Sequence, residues 1–357
     1  MKINSITAWL EKLPLTRPYS IAYKTITDTE IVFLEIRLEN GLIGTGASNP
    51  FAEVVGESPS ETLAHLRSGF LDCFIGKDIL IWNQLLDEAA RHYQHLPGTL
   101  AAIDIALHDL FGQFLGIGVA DIYGKKMDGL PTSVTIGIKD SAQMLEEARG
   151  YFDLGFRILK VKTGRDVEAD IERVARLWEN FSGKMIIRVD ANQGYDLGGL
   201  EKFLQATRSM DIELIEQPLA AGADRALSNL PWEYRKQLVA DESLLDASSS
   251  LSLAELPHRY GVFNIKLMKA GGIREAKDIA LIARHAGISL FWGCNDESRV
   301  SISAALHAAY SCSNTRFLDL DGSFDLSKDL VEGGFLLREG CMYLSDQPGL
   351  GLTPQKG

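Results

Sequence analysis

The stretches Arg157-Ile158-Leu159-Lys160-Val161-Lys162 and Met185-Ile186-Ile187-Arg188-Val189-Asp190-Ala191 read as short apolar strands that become charged toward their ends. Each is followed by a segment of amphipathic, helix-like spacing, and the same texture recurs on both sides. Working outward, further strands are expected at 133–138, 212–216, 238–240, 262–266, 289–292 and 317–319. Eight strands with intervening helices predict a closed parallel β/α barrel, and a doubly wound open sheet has the same local signature. No repeat at the level of sequence accompanies this alternation.

The most telling polar residues are those that interrupt these strands near their C-terminal ends. Lys160 and Lys162, Asp190 and Asn192, Glu216, Asp241, Lys266, and Asp319 and Asp321 all fall at strand C-termini. From Asp190 to Lys266 the charges recur about every 25 residues, the length of one strand-plus-helix unit, so successive strands deliver them to one rim. In a parallel barrel that rim is where active sites are built.

Residues two apart on a strand share a face, so Lys160 and Lys162 project together while Val161 turns toward the surrounding helices. Two crowded ammonium groups are expected to repel, which lowers lysine basicity toward the range of a neutral-pH general base. Asp190, Glu216 and Asp241 offer oxygen-only ligation suited to a hard cation such as Mg²⁺. Three confined carboxylates also repel one another unless a cation neutralises them. Taken singly, each acid reads as an ion-pair partner or a helix cap, and Lys-x-Lys as a solvated strand end. The regular spacing is what favours a site. Lys266 comes from across the ring, which puts an amine on each side of the metal. A metal-bound carboxylate substrate would become an enediolate when its α-proton leaves. One lysine would remove the proton and the other return it to the opposite face, inverting the carbon.

The rest of the sequence sets the context. Residues 31–38 alternate like a strand, Asn40-Gly41 supplies a turn, and 42–47 answer it as a hairpin. Ser58-Pro59-Ser60-Glu61 resembles a helix start, and 100–115 have helical spacing. Segments 16–29 and 48–57 read as loops, a lid or plain connections. Across 357 residues, 46% are hydrophobic and 24% charged, the balance of a globular protein with a sizeable core. A net charge of −12 opposes attraction to nucleic acid or anionic membrane, and neither is expected as a partner. Cys73, Cys294, Cys312 and Cys341 are scattered without metal or redox spacing, and no signal peptide or long apolar run is evident. A cytoplasmic protein is expected, with oligomeric state, including a homo-oligomer, left open.

In order along the chain, Lys160-Val161-Lys162, Val189-Asp190-Ala191-Asn192-Gln193-Gly194, Ile215-Glu216-Gln217-Pro218, Ala240-Asp241-Glu242-Ser243 and the run from Asn264 to Ile273 resemble the enolase superfamily, in its muconate lactonizing enzyme subgroup. The resemblance covers nearly the whole chain. It implies an α/β protein with a modified TIM-type (β/α)7β barrel under an α+β capping domain. The cap would be 1–125 with its lid loops, the barrel 126–325, and 326–357 a segment returning to the cap. It further implies Mg²⁺ held by Asp190, Glu216 and Asp241, with Asn192 and Glu297 supporting the site from behind. Lys162 and Lys266 would be the acid/base pair, and Lys160 would hold and polarise the substrate carboxylate. No histidine closes the strand near Trp292, so the histidine-based mandelate racemase branch does not fit.

Within the subgroup, Asp319-Leu320-Asp321 resembles the D-x-D motif of dipeptide epimerases, where two carboxylates can pair with a dipeptide's free α-ammonium. Muconate-type cycloisomerases, o-succinylbenzoate synthases and N-acylamino acid racemases act on substrates lacking that group and are the nearest alternatives. A non-catalytic ligand-binding barrel is a third, and Asp319 and Asp321 could be turn residues before Gly322. The resemblance also points to Thr135, Asp296, Glu297 and Ser298 at the pocket. Lys24 stands where alanyl-glutamate epimerases tend to carry an arginine. Glu53, Glu57 and Asp296 add negative charge near the expected entrance. The expected substrate is therefore an L,L-dipeptide with a cationic or neutral side chain rather than Ala-Glu.

Overall fold

The computed structural model describes residues 1–20 and 25–355. Its N-terminal part is an antiparallel sheet of Ile3–Ser20, Thr25–Leu38 and Ile43–Ser48. The central strand shows why: its period-2 pattern buries both faces. Ile31 and Phe33 join the core shared with the barrel, while Val32, Leu34 and Ile36 join a second core under the helices Trp82–His92 and Pro97–Leu115. That second helix lies directly on the edge strand, which glycine permits. A Cβ at Gly46 would stand 2.0 Å from Ala102 O, and one at Gly44 2.2 Å from Ala106 O.

The first strand was not legible in the sequence, and the loop expected at 16–29 is corrected to strand at 16–20 and 25–29, while 21–24 lie outside the described residues. Ile3–Ser20 and Thr25–Leu38 pair along nearly their full length, from Ile3↔Leu38 to Ser20↔Thr25, with irregularities between Ile3 and Ser5 and between Pro14 and Tyr19. Strand pairing supplies the backbone partners that local sequence did not announce. Segment 48–57 contains a four-residue helix, Ala52–Val55. Helix Pro59–Leu66 begins where expected, and with a capping box, Ser58 and Glu61 each bonding the other's backbone N–H.

Among the described residues, eight parallel strands run in sequence order: Val134–Ile136, Ile158–Lys162, Ile186–Asp190, Ile212–Glu216, Leu238–Ala240, Val262–Ile265, Ser289–Gly293 and Thr315–Asp319. A parallel bridge between Thr132 and Leu318 closes the eighth back onto the first, so the sheet is a barrel and not an open one. Outward residues, including Val161, Val189, Ile215, Ile265 and Trp292, pack under the helices in the main core. Inward residues form layers. Leu214, Val239, Val262 and Phe291, with Phe317 against them, fill the lower interior as a separate apolar plug. The Arg188 guanidinium lies over both of those phenylalanine rings, at 5.2 and 5.3 Å. The charged strand ends form the layer above.

The C-terminal segment touches both parts. Cys341–Leu344 pairs with Gly129–Pro131 below the barrel, whereas Gly349 exchanges backbone bonds with Ile117 and Val119, and Leu350 N donates to the buried Asp109. Among the described residues no helix is long and apolar enough to cross a membrane.

Candidate active site

The strand ends meet around a set of amines. Lys160 Nζ is 2.8 Å from Glu216 Oε2, 2.8 Å from Asp319 Oδ2 and 3.2 Å from Asp190 Oδ2. Lys162 reaches the same Asp190 oxygen at 2.6 Å, so the two lysines do share a face. On the other flank Lys266 Nζ is 2.8 Å from Asp241 Oδ2. Lys269 takes the remaining Asp241 oxygen together with Asp241 O and Asn264 O. The acids come from the ends of strands three to five, with Lys162 on strand two and Lys266 after strand six. Each amine is thus paired with an outer acid of the row.

Distance decides the electrostatics. Burial alone would make both Lys160 and Lys266 weaker bases, yet Asp319, Glu216 and Asp190 outweigh it at Lys160, and Asp241 and Glu216 at Lys266. Both are raised, which at Lys160 corrects the expectation of lowered basicity: a carboxylate in direct contact counts for more than a neighbouring amine. The acids diverge in turn. Despite burial, Lys162 and Lys160 hold Asp190 down to about 2, and Lys266 and Lys269 hold Asp241 far below the carboxylate range. Burial and the adjacent Asp190 push Glu216 up to about 8. Its Oε2, though close to Lys160, has no hydrogen-bond partner, while its Oε1 accepts from Asn264 Nδ2 at 2.8 Å.

Among the described residues no three acidic, histidine or cysteine side chains stand at ion-binding separation, because an ammonium group is interposed at each acid. The donor chemistry nevertheless fits a hard divalent cation. The three acids are buried, offer only oxygen, and include in Glu216 Oε2 a carboxylate oxygen that accepts no hydrogen bond.

Lys160, Lys162, Asp241, Lys266 and Lys269 form the floor of a cavity of about 920 Å³ between cap and barrel, with Asp190 and Glu216 buried against them. Thr135, Asn192, Asp296, Asp319, Asp321 and Glu53 line it with the lysines. Asp319 is committed: Oδ1 accepts from Ser133 Oγ at 2.6 Å and Oδ2 meets Lys160. Asp321 Oδ2 accepts from Thr135 N at 2.7 Å, and burial with nearby Asp319 pushes its carboxyl up to about 7. Asn192 sits at φ +42°, its N–H bonding Asp190 Oδ1 at 3.0 Å. The backbone carbonyl of Asp296 accepts from Thr29 Oγ1 and Asn49 Nδ2, which joins that loop to the cap. Glu297 is buried behind it, accepts from Asn295 N, and is pushed up to about 7 by burial.

Three expectations fall elsewhere. Ser298 is wholly buried as the N-cap of Arg299–Tyr310, bonding Val300 N and Asp329, and does not line the cavity. Glu57 is buried too: it accepts from Gly98 N, Thr99 N, Thr99 Oγ1 and Thr62 Oγ1, closing the start of Pro97–Leu115 from outside that helix. It adds no charge to the entrance. Lys24 lies outside the described residues.

Sequence reasoning passed over Asn264, Lys269 and Glu242. Asn264 lies two residues before Lys266 and so on the same inward face, a signal that period-2 counting contains. Glu242 lines the cavity beside Asp241, and burial with Asp241 and Asp190 pushes it up to about 7.

Residues 5–124 match the mandelate racemase / muconate lactonizing enzyme N-terminal domain, and residues 143–357 match the enolase C-terminal domain-like family. The chain belongs to the enolase superfamily. It is 48% identical over 353 residues to the L-Lys-D/L-Arg epimerase of Methylococcus capsulatus, covering 99% of both chains. It is 33% identical to the hydrophobic dipeptide epimerase of Enterococcus faecalis, covering 99% of this chain and 100% of that one. The crystal structure of the Methylococcus capsulatus dipeptide epimerase with Mg and L-Arg-D-Lys superposes with a TM-score of 0.97 at 48% identity, covering 99% and 100% of the two chains. The barrel and capping sheet seen here are the superfamily's architecture.

Proposed function

We propose that this chain is a Mg²⁺-dependent dipeptide epimerase that inverts the C-terminal α-carbon of L,L-dipeptides by two-base proton transfer, favouring cationic side chains such as those of L-Lys-L-Arg. The observation that carries this reading is the pair of lysines flanking three acids, Lys162 on Asp190 at 2.6 Å and Lys266 on Asp241 at 2.8 Å.

Asp190, Glu216 and Asp241 would hold the ion, which supplies polarisation of the substrate carboxylate and stabilisation of the charge that develops as the α-proton leaves. Lys162 and Lys266 then face the α-carbon from opposite flanks. One abstracts the proton, and the other, still protonated, delivers one to the opposite face. Freeing Asp241 from Lys266 removes the contact that most raises that amine, so it can also serve as a base. Lys160, held by Asp319, orients the substrate carboxylate. With Asp319 so committed, Asp321 is the acid that takes the dipeptide's α-ammonium.

The cationic preference is supported by the 48% identical L-Lys-D/L-Arg epimerase and by exposed acids on the cavity wall, Glu30, Glu53 and Glu146. Unneutralised acids repel an Ala-Glu side chain and attract an Arg or Lys one. A cytoplasmic setting suits the four free cysteines. Incubation of L-Lys-L-Arg and L-Ala-L-Glu with enzyme and Mg²⁺ in D₂O tests the proposal. Deuterium is expected at the C-terminal α-carbon of L-Lys-L-Arg with accumulation of the L,D product. Absence of label in every dipeptide rejects the activity, and faster turnover of L-Ala-L-Glu rejects the preference.

A further inference from the structure

The chain leaves the fourth barrel strand through Gln217, whose φ of +32° is uncommon for a residue with a side chain. Such backbone persists only where its surroundings over-determine it, and here they do. The side chain is fully buried and its amide is bonded at both ends. Oε1 accepts from Asp241 N at 2.9 Å and Ser243 N at 3.2 Å. Nε2 donates to Leu219 O at 2.9 Å, with Ser243 Oγ at 2.9 Å and Tyr260 Oη at 3.1 Å. The main chain extends the same reach: Gln217 O accepts from Gln193 N at 2.7 Å, in the loop that follows Asp190. Tyr260 Oη and Ser243 Oγ both donate to Asp224, which fixes the far side of the cluster.

One residue therefore ties together the exits of three consecutive strands. It is covalently next to Glu216, holds the peptide N–H of Asp241, and receives the loop of Asp190. Strand pairing sets Asp190 opposite Glu216, but the fifth strand ends at Ala240, so Asp241 lies beyond the ladder and its place relative to the other two acids is set by other contacts. We infer that Gln217 is a positioning residue that sets the spacing of Asp190, Glu216 and Asp241 and thereby the affinity of the site for a divalent cation. The inference rests on the metal reading above and goes beyond it by assigning control of the ligand geometry to a side chain that touches neither ion nor substrate.

Gln217→Met keeps the length and volume of the side chain and removes every side-chain bond. Mg²⁺ binding to the purified full-length protein is measured by calorimetry, with Mn²⁺ binding followed by electron paramagnetic resonance. Loss of a group that orients ligands from behind weakens metal affinity by roughly 10- to 100-fold, which is the expected result. Thermal melting in excess chelator separates a purely structural role: lower stability with unchanged Mg²⁺ affinity of the folded protein overturns the inference. Should Gln217→Met not fold, Tyr260→Phe carries the test by deleting one hydroxyl of the cluster. A several-fold weaker Mg²⁺ affinity supports the inference, and an unchanged one overturns it. Wild-type protein that takes up no Mg²⁺ overturns the metal reading together with this one, whereas tight wild-type binding matched by the variants overturns this one alone.

Discussion

Replacing Asp321 by Asn isolates the acid assigned to the dipeptide's α-ammonium. The carboxyl lies in the cavity wall with Oδ2 on Thr135 N, and burial followed by the charge of Asp319 raises it from 3.8 to about 7. Only the ionised form attracts an ammonium group, so in the free enzyme the competent fraction grows as pH rises through 7. It falls from about one half at pH 7 to about one tenth at pH 6, a roughly fivefold loss of kcat/KM across that unit. Above about pH 8 the dipeptide's own α-amine loses its proton, and the profile becomes bell-shaped with an enzyme limb and a substrate limb. Asp321→Asn deletes a charge-assisted bond worth about 1.5–3 kcal/mol, roughly 10- to 150-fold in kcat/KM near neutrality. It also flattens the acid limb. The assay is kcat/KM for L-Lys-L-Arg across the neutral range at saturating Mg²⁺, with the N-acetylated dipeptide as a control that lacks the ammonium. An acid limb centred near pH 4 in wild type refutes the reasoning, as does a limb near 7 that survives the substitution.

Lys162→Ala and Lys266→Ala should each abolish epimerisation, and each should suppress α-proton exchange from one stereoisomer far more than from the other. Equal residual exchange from both isomers in both variants contradicts opposed bases. Glu57→Ala strands the first N–H groups of Pro97–Leu115 and two hydroxyls, so a loss of about 3 kcal/mol is expected, read as a lower urea midpoint. An unchanged midpoint means that water replaces the carboxylate. His307 is buried with Nδ1 accepting from Ala120 N, and burial lowers its pKa from 6.5 to about 4. The unfolded chain takes up that proton below about 6.5 and the folded one only near 4. Stability is therefore full above 6.5 and declines as pH falls, by about 2 kcal/mol between pH 6.5 and 5. Urea melts of wild type and His307→Gln at the two pH values should show this share of the acid sensitivity gone in the variant. Identical pH dependence in the two proteins argues against the assignment.

The barrel strands were legible because each is a short apolar run with turn residues beyond it, and observed ends depart from the expected ones by only a residue or two. Lys160 with Lys162, and Asp190, Glu216 and Asp241, could be found because inward positions alternate and units repeat at nearly constant length. The long first strand was hidden by Lys12, Pro14, Arg17 and Pro18, which interrupt any alternation. Its partner across the sheet supplies what its own pattern lacks. Glu57 and Ser298 misled for a related reason. A polar residue between elements looks the same in one dimension whether it faces a cavity or closes a helix end, and both of these turned out to close helix ends.

Residue type and periodicity along the chain were enough to decide which side chains face the barrel axis and which end of the barrel carries charge, because both follow from local geometry of fixed period. Proton affinities were not decided there. They depend on contacts between residues far apart in the chain, such as Lys160 with Asp319 and Lys266 with Asp241, and in a buried site the nearest opposite charge outweighs a crowding like charge. The same holds for the links that join one strand's exit to the next, Gln217 above all, since a hydrogen bond across a rim exists only once the rim has closed.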